Sequence, residues 1–81
     1  ESSWFIRLSV NDEPGVLASI AGTFGEHNVS IESVIQEGRG DQAELVLVTH
    51  EAPEKDLNNS IEQITSLSAV TTVTSVLRVY I

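Results

Sequence analysis

The sequence predicts an α+β domain in which two helices cover one face of a four-stranded antiparallel sheet. Two stretches have the 3.6-residue spacing of amphipathic helices, and four have the character of strands, in the order β-α-β-β-α-β. Each strand-helix-strand unit is a crossover, and right-handed crossovers place both helices on the same face. This split arrangement is called ferredoxin-like. It puts the first and third strands at the centre and the second at an edge, where its outer backbone groups need a partner.

The first half of the chain contains two strands and a helix. Residues 4–10 alternate in hydrophobicity, with an apolar side formed by Trp4, Ile6, Leu8 and Val10. After a turn, the first helix has an apolar stripe formed by Val16, Leu17, Ile20, Ala21 and Phe24. Gly25 and a left-handed Asn28 are expected to end this helix. Residues 29–37 alternate again, and we expect one face to contain Val29, Ile31, Ser33 and Ile35.

The second half begins with a turn over residues 38–41. Residues 43–49 are almost continuously apolar, which favours a central strand that is covered on both faces. Pro53 breaks the chain before a second helix, whose apolar stripe is Leu57, Ile61, Ile64 and Leu67. The last strand is expected over residues 70–81, which are rich in Val and Thr.

Length and composition exclude several classes of function. The 81 residues fit one domain, 1–81, and because the sequence begins with Glu1 we expect it to be a piece of a longer chain. Four basic against twelve acidic residues give a net charge of −8, which argues against binding to nucleic acid or anionic membranes. No apolar run approaches the ~18 residues of a membrane span. The lack of cysteine excludes disulfides and thiolate metal sites and is compatible with a location in the cytoplasm.

Candidates for catalysis or metal binding are few. His27 and His50 have no second ligand at a metal-binding spacing, so surface histidines are the simpler interpretation. Three acidic residues lie on the strands of the predicted hairpin, where they could approach one another, but alternating acids on strands are typical of a solvated face: Glu32, Glu37 and Glu44. Arg7 is expected to lie near the acidic residues of the third strand. We therefore predict neither a catalytic residue nor a metal ligand in this chain.

The turn between the first strand and the first helix is the best candidate for a binding site. Gly15 lets a ligand approach the backbone at the start of the helix, where free N–H groups and the helix dipole attract a carboxylate. Asn11 or Asp12 can accept a hydrogen bond from an ammonium group, and Ser30 and Ser33 offer hydroxyls from the second strand. These groups together suit a small zwitterion, so the turn predicts an amino-acid site.

The motifs of this turn resemble those of the ACT domain, a small amino-acid-sensing module of metabolic enzymes. The resemblance rests on residues 11–21, NDEPGVLASIA, and residues 28–34, NVSIESV, and it extends over the whole chain. Three further segments are similar to the C-terminal ACT domain of bacterial homoserine dehydrogenase: IESVIQ at 31–36, VTHE at 48–51 and VLRV at 76–79.

The resemblance implies a homodimer that pairs through the second strand and first helix, with effector sites at the seam of an eight-stranded sheet. The ligand-binding residues carried over by position are Asn11, Asp12, Pro14, Gly15, Val16 and Leu17, with Ser30 reaching the ligand from the neighbouring subunit. The implied effector is L-threonine, acting as a feedback inhibitor. The catalytic and NAD(P)-binding residues of the parent enzyme would lie outside this domain, which itself needs no cofactor.

Three alternatives remain open on the sequence. The domain is a dimerisation or scaffold element without a ligand, or it regulates another enzyme of amino-acid metabolism. The third alternative is a small enzyme of the same topology, such as an acylphosphatase-like hydrolase. That chemistry needs an arginine in an anion-binding loop, where this chain has Asp12 and Glu13.

Overall fold

The computed structural model describes residues 2–79 and, for Arg39, the backbone alone. Its elements follow the predicted order, and their bounds are β1 Ser3–Asn11, α1 Val16–Glu26, β2 Ile31–Arg39, β3 Gln42–Thr49, α2 Glu54–Thr65 and β4 Val70–Val79. The residues predicted for the end of the last strand, 80 and 81, lie outside the described range. No helix in the described part of the chain is long and apolar enough to cross a membrane.

The four strands form one antiparallel sheet in the order β2-β3-β1-β4. This order confirms the prediction that the first and third strands are central. It leaves β2 and β4 at the two edges. The βαββαβ order with two packed helices is the ferredoxin-like fold that the sequence predicts.

The core lies between the helices and the inward face of the sheet. The predicted apolar side of β1 is buried, with Leu8 fully inaccessible to solvent. Opposite it, Ile20 and Phe24 of α1 and Leu57 of α2 are also fully buried. Asn28 has a φ of 63°, which confirms the left-handed residue expected after α1.

The buried stripe of α1 differs from the predicted one. Leu17 is 36% exposed and Ala21 is also exposed, whereas Thr23 is buried and its hydroxyl donates to the Ser19 carbonyl at 2.9 Å. The core therefore contacts a narrower strip of α1 than its apolar residues suggest, and the side of α1 that carries Leu17 is left uncovered.

The predicted alternation of β2 is confirmed for Val29 and Ile31, which lie at the core, but a bulge makes it wrong for the rest of the strand. Ile31 pairs with Thr49 but Ser33 pairs with Val48, so Glu32 is an extra residue on β2. Because the bulge reverses the faces, Ser33 and Ile35 lie on the open face of the sheet, and Ile35 is 65% exposed. Val34 packs against the core instead.

Two smaller predictions also need correction. Strand β3 is central but not covered on both faces, because its buried residues alternate with half-buried ones such as Val46 and Val48 on the open face. Helix α2 ends at Thr65, so Leu67 lies in the loop that follows, although it still packs against the core.

Candidate functional site

The turn that joins β1 to α1 is held in place by its backbone. The Asn11 N–H donates to the Ala69 carbonyl at 2.8 Å, and the Asp12 N–H donates to the Asp41 carbonyl at 2.9 Å. Gly15 then adopts a left-handed conformation, with a φ of 84°, immediately before α1. A residue with a Cβ is strained in this conformation. The sequence therefore needs glycine here for local structure as well as for any ligand.

The start of α1 presents free backbone donors. The Ser19 N–H donates to the Gly15 carbonyl at 3.0 Å, and it is the first α-type bond of the helix. The N–H groups of Leu17 and Ala18 precede this bond, in the turn where a helix has no acceptors of its own. No side chain within the described residues caps this end of the helix. The exposed donors make the helix start a suitable place for an anion.

A cavity of about 250 Å³ opens beside these donors. It is lined by Val10, Asn11, Asp12, Glu13, Gly15, Val16, Leu17, Ala18, Gln36 and Leu45. The wall includes five of the residues that the sequence predicts for the site, namely Asn11, Asp12, Gly15, Val16 and Leu17. The structure thus brings carboxylate and amide oxygens, free N–H groups and apolar side chains to one cavity.

Gln36 is the lining residue that the sequence reasoning missed. Its side-chain amide donates to the Asp12 carboxylate at 3.5 Å. With the predicted alternation of β2, Gln36 would lie on the opposite face of the sheet. The bulge at Glu32 turns Gln36 towards α1. The signal in the sequence was the adjacent pair Val34-Ile35, because two neighbouring apolar residues interrupt a two-residue alternation.

Pro14 lies at a different cavity. It borders a second opening of about 240 Å³ on the other side of the helix start, between α1 and the loop that precedes β4. Gly15 and Val16 border both cavities. The helix start therefore has two neighbouring concavities, and the one with the polar groups is the candidate binding site.

Ser30 lies at the other end of the domain from the turn. Its carbonyl accepts a hydrogen bond from the His50 N–H at 2.9 Å, at the end of β3. Gln36, the residue of β2 that lines the cavity, lies six positions further along the strand, a distance of roughly 20 Å at ~3.3 Å per residue. Ser30 thus cannot contact the cavity of its own chain.

The remaining candidates have ordinary surface partners. His27 Nε2 lies 2.9 Å from Gln63 Oε1, and His50 Nδ1 lies 3.4 Å from Glu32 Oε2. Arg7 Nε lies 3.8 Å from Glu44 Oε1 on the open face of the sheet, which confirms its predicted position. No group of three metal-binding side chains occurs within residues 2–79.

The fold and the turn define a member of the ACT domain family. The family model matches residues 4–69, and the chain belongs to this family. Curated relatives include a homoserine dehydrogenase from Neisseria gonorrhoeae, 44% identical over 71 residues, and one from Synechocystis, 42% identical over 77 residues. These alignments cover 85% and 94% of this chain, but they span only 16% and 18% of the relatives.

Solved structures agree with this placement. A homoserine dehydrogenase from Thiobacillus denitrificans superimposes on 95% of the chain with a TM-score of 0.86 and 31% identity, using 17% of its own length. The regulatory subunit of aspartate kinase from Thermus thermophilus aligns with a TM-score of 0.67 at 16% identity, a likeness of fold alone. The chain is therefore similar to a segment that makes up 16–18% of the length of these homoserine dehydrogenases.

Proposed function

We propose that this chain is the regulatory domain of a homoserine dehydrogenase and that it binds L-threonine as a feedback inhibitor. The observation that carries the proposal is the 250 Å³ cavity at the start of α1. It is smaller than the ~300–1,000 Å³ clefts that hold drug-sized ligands. A single small amino acid is a suitable occupant, and the cavity contains a group for each part of such a molecule.

The backbone of α1 is the proposed receptor for the ligand carboxylate. The N–H groups of Leu17 and Ala18 are free, and the helix start has a partial positive charge of about +0.5. The cavity lining contains no lysine or arginine, and the chain as a whole has a net charge of −8. Oriented amides therefore have to provide the attraction that a basic side chain provides in other sites.

The opposite wall suits the ammonium group and the side chain of threonine. Asp12 offers carboxylate oxygens and Asn11 a side-chain carbonyl for the ammonium group. The Gln36 amide is placed to bond the threonine hydroxyl, while Leu17 and Leu45 form an apolar surface for its methyl group. We choose threonine over other small amino acids because it is the effector that the resemblance to homoserine dehydrogenases implies, and curated relatives of this chain are such enzymes.

A homodimer through β2 and α1 is part of the proposal. Leu17 on the helix side and Ile35 on the open face are 36% and 65% exposed at this edge of the domain, and a second copy paired there would contact both. A two-fold axis that pairs two β2 strands antiparallel brings the Ser30 end of one strand to the Gly15 end of the other. Pro14 lines the neighbouring opening and not the proposed site, so its part in the proposal is to shape the turn before Gly15. The role of Ser30 thus depends on the partner subunit.

Regulation would follow from a preference of the ligand for one packing of the paired domains. Allosteric couplings are typically ~1–3 kcal/mol, so threonine would change the activity of the parent enzyme several-fold or more. The NAD(P)-dependent chemistry would take place in the remaining part of that enzyme, since the chain spans less than a fifth of the relatives.

Calorimetric titration tests the proposal. We expect heat with L-threonine and little with L-lysine, L-valine or L-isoleucine. Gly15→Asp should abolish the heat, because it places a carboxylate where the ligand carboxylate binds. Gly15→Asn is the matched control, since asparagine has the same shape, tolerates a left-handed conformation and is neutral. Equal affinity of the Asp variant and the wild type would refute the site.

A ligand-free dimerisation domain is the second candidate, and the exposed Leu17 and Ile35 also favour it. This candidate predicts a dimer whose melting temperature is not changed by any of the twenty amino acids. Binding to the native state alone stabilises a protein by RT ln(1 + [L]/Kd). A rise in melting temperature that depends on threonine concentration would therefore exclude this candidate.

A further inference from the structure

Exposed apolar side chains occur at both edges of the domain. Four large hydrophobic residues of the described chain are exposed: Leu17 36%, Ile35 65%, Val76 37% and Leu77 57%. Leu17 and Ile35 belong to the β2 side, which the proposed function already uses. Val76 and Leu77 lie on β4, at the opposite edge, and the proposed function leaves them without a partner.

Val76 and Leu77 lie on opposite faces of the sheet. Val76 pairs with the buried Ile6, and Leu77 pairs with Phe5 on the open face. A helix or domain that packed on one face of the sheet would cover only one of them. A strand added alongside β4 would lie next to both, and strands with consecutive apolar residues are typically covered on both faces.

The outer edge of β4 lacks the charged residues and the proline that protect many edge strands. Two irregularities in its pairing with β1 lie between Val70 and Ser75, whereas Ser75–Val79, which includes Val76 and Leu77, pairs regularly. Among the described strands β4 pairs only with β1, so its outer backbone groups are available. Residues 70–77, VTTVTSVL, contain no charged residue and no proline. By contrast, β2 contains Glu32 and Glu37. In a chain with a net charge of −8, this uncharged stretch is a place where two copies can approach without repulsion.

The side chain of Arg78 does not protect the edge against strand addition, because it contacts residues within its own domain. Its guanidinium forms an ion pair with Glu54 of α2 and lies 5.0 Å from the centre of the Trp4 ring. Both partners hold this side chain on the helix side of the sheet, away from the outer edge of β4. The charged residue nearest to the uncharged stretch is thus bound within the domain.

We propose that the outer edge of β4 is a second self-association surface, on which β4 of another copy pairs antiparallel. A two-fold axis places the same uncharged stretch on both sides of the contact, so the charge argument applies to both partners. This contact is independent of the effector site. Combined with pairing through β2, it takes the chain beyond a dimer.

Sedimentation velocity over a range of protein concentrations tests the proposal. We expect the wild type to reach a mass above twice the 8.8 kDa of one chain. Thr74→Lys/Leu77→Lys changes two exposed residues of β4 and should reduce the mass to that of a dimer. These lysines make the net charge less negative, so general repulsion cannot explain the loss. Asn58→Lys/Asn59→Lys, on the exposed side of α2, makes the same change in charge and should leave the mass unaltered.

Ile35→Lys separates this proposal from the proposed function. If both contacts exist, Ile35→Lys also gives a dimer, and adding the β4 changes to it gives a monomer. If only β4 pairs, Ile35→Lys has no effect and the β4 variant is a monomer. A wild type that stops at a dimer, with a mass insensitive to the β4 changes and circular dichroism showing native folding throughout, would overturn the β4 proposal.

Discussion

The side-chain amide of Gln36 on β2 donates a hydrogen bond to the carboxylate of Asp12 after β1, at 3.5 Å. The strand β3 lies between β1 and β2 in the sheet, so this contact spans the end of the central strand. It links β2 to an acidic side chain in the turn that precedes α1. The contact also closes one wall of the candidate effector cavity.

Gln36→Ala should weaken L-threonine binding by up to about tenfold, since one neutral hydrogen bond contributes ~0.5–1.5 kcal/mol. Calorimetry measures the change in dissociation constant. Gln63→Ala is the matched control, because Gln63 also donates to a carboxylate, that of Glu26 at 3.3 Å, but lies outside the cavity. If both variants bind threonine as the wild type does, Gln36 has no part in the site.

Ser30→Ala should weaken threonine binding although Ser30 is roughly 20 Å from the cavity of its own chain. The reason is that the hydroxyl reaches the ligand only from the partner subunit. Ser68→Ala is a suitable comparison, since Ser68 lines the neighbouring cavity on the same chain. Titrations at several protein concentrations should show weaker binding upon dilution. If Ser68→Ala weakens threonine binding strongly and Ser30→Ala does not, the ligand binds within one subunit.

Thr49→Val should lower the free energy of unfolding by about 1–3 kcal/mol, the cost of leaving a buried donor without an acceptor. The Thr49 hydroxyl accepts from the Trp4 N–H at 3.1 Å, and both residues are buried. Urea denaturation measures the change. Thr65→Val removes an exposed hydroxyl that donates to the Glu62 carbonyl at 2.8 Å, and we expect a smaller effect. Equal losses for the two variants would show that burial at Thr49 has no special importance.

Local patterns were sufficient to predict most of the fold. The alternation of β1, the left-handed Asn28 and the glycine before α1 each depend on residues close together in the sequence. The order of the elements then restricts the topology through the handedness of crossovers. For the same reason the turn at Asp12 and Gly15 was predicted as a site, since helix starts and glycines have local signatures.

The remaining features depend on contacts between distant residues. The bulge at Glu32 is defined by pairing with Val48 and Thr49, so the faces of β2, and with them the position of Gln36, did not follow from alternation. The exposure of Leu17 arises because the core contacts a narrow strip of α1. The location of Ser30 at the opposite end of the domain follows from the length of β2.

Backbone amide shifts in a ¹H–¹⁵N spectrum, recorded during titration with L-threonine, test the effector site most directly. We expect the largest shifts at the Leu17 and Ala18 amides, with a smaller shift of the Gln36 side-chain amide. Gly15→Asn should retain the pattern and Gly15→Asp should lose it. The two cavities beside the start of α1 have different lining residues, so the positions of the shifts show which cavity the ligand occupies. Shifts centred on Ser68 and Ala69, or no shifts at saturating threonine, would contradict the proposed site.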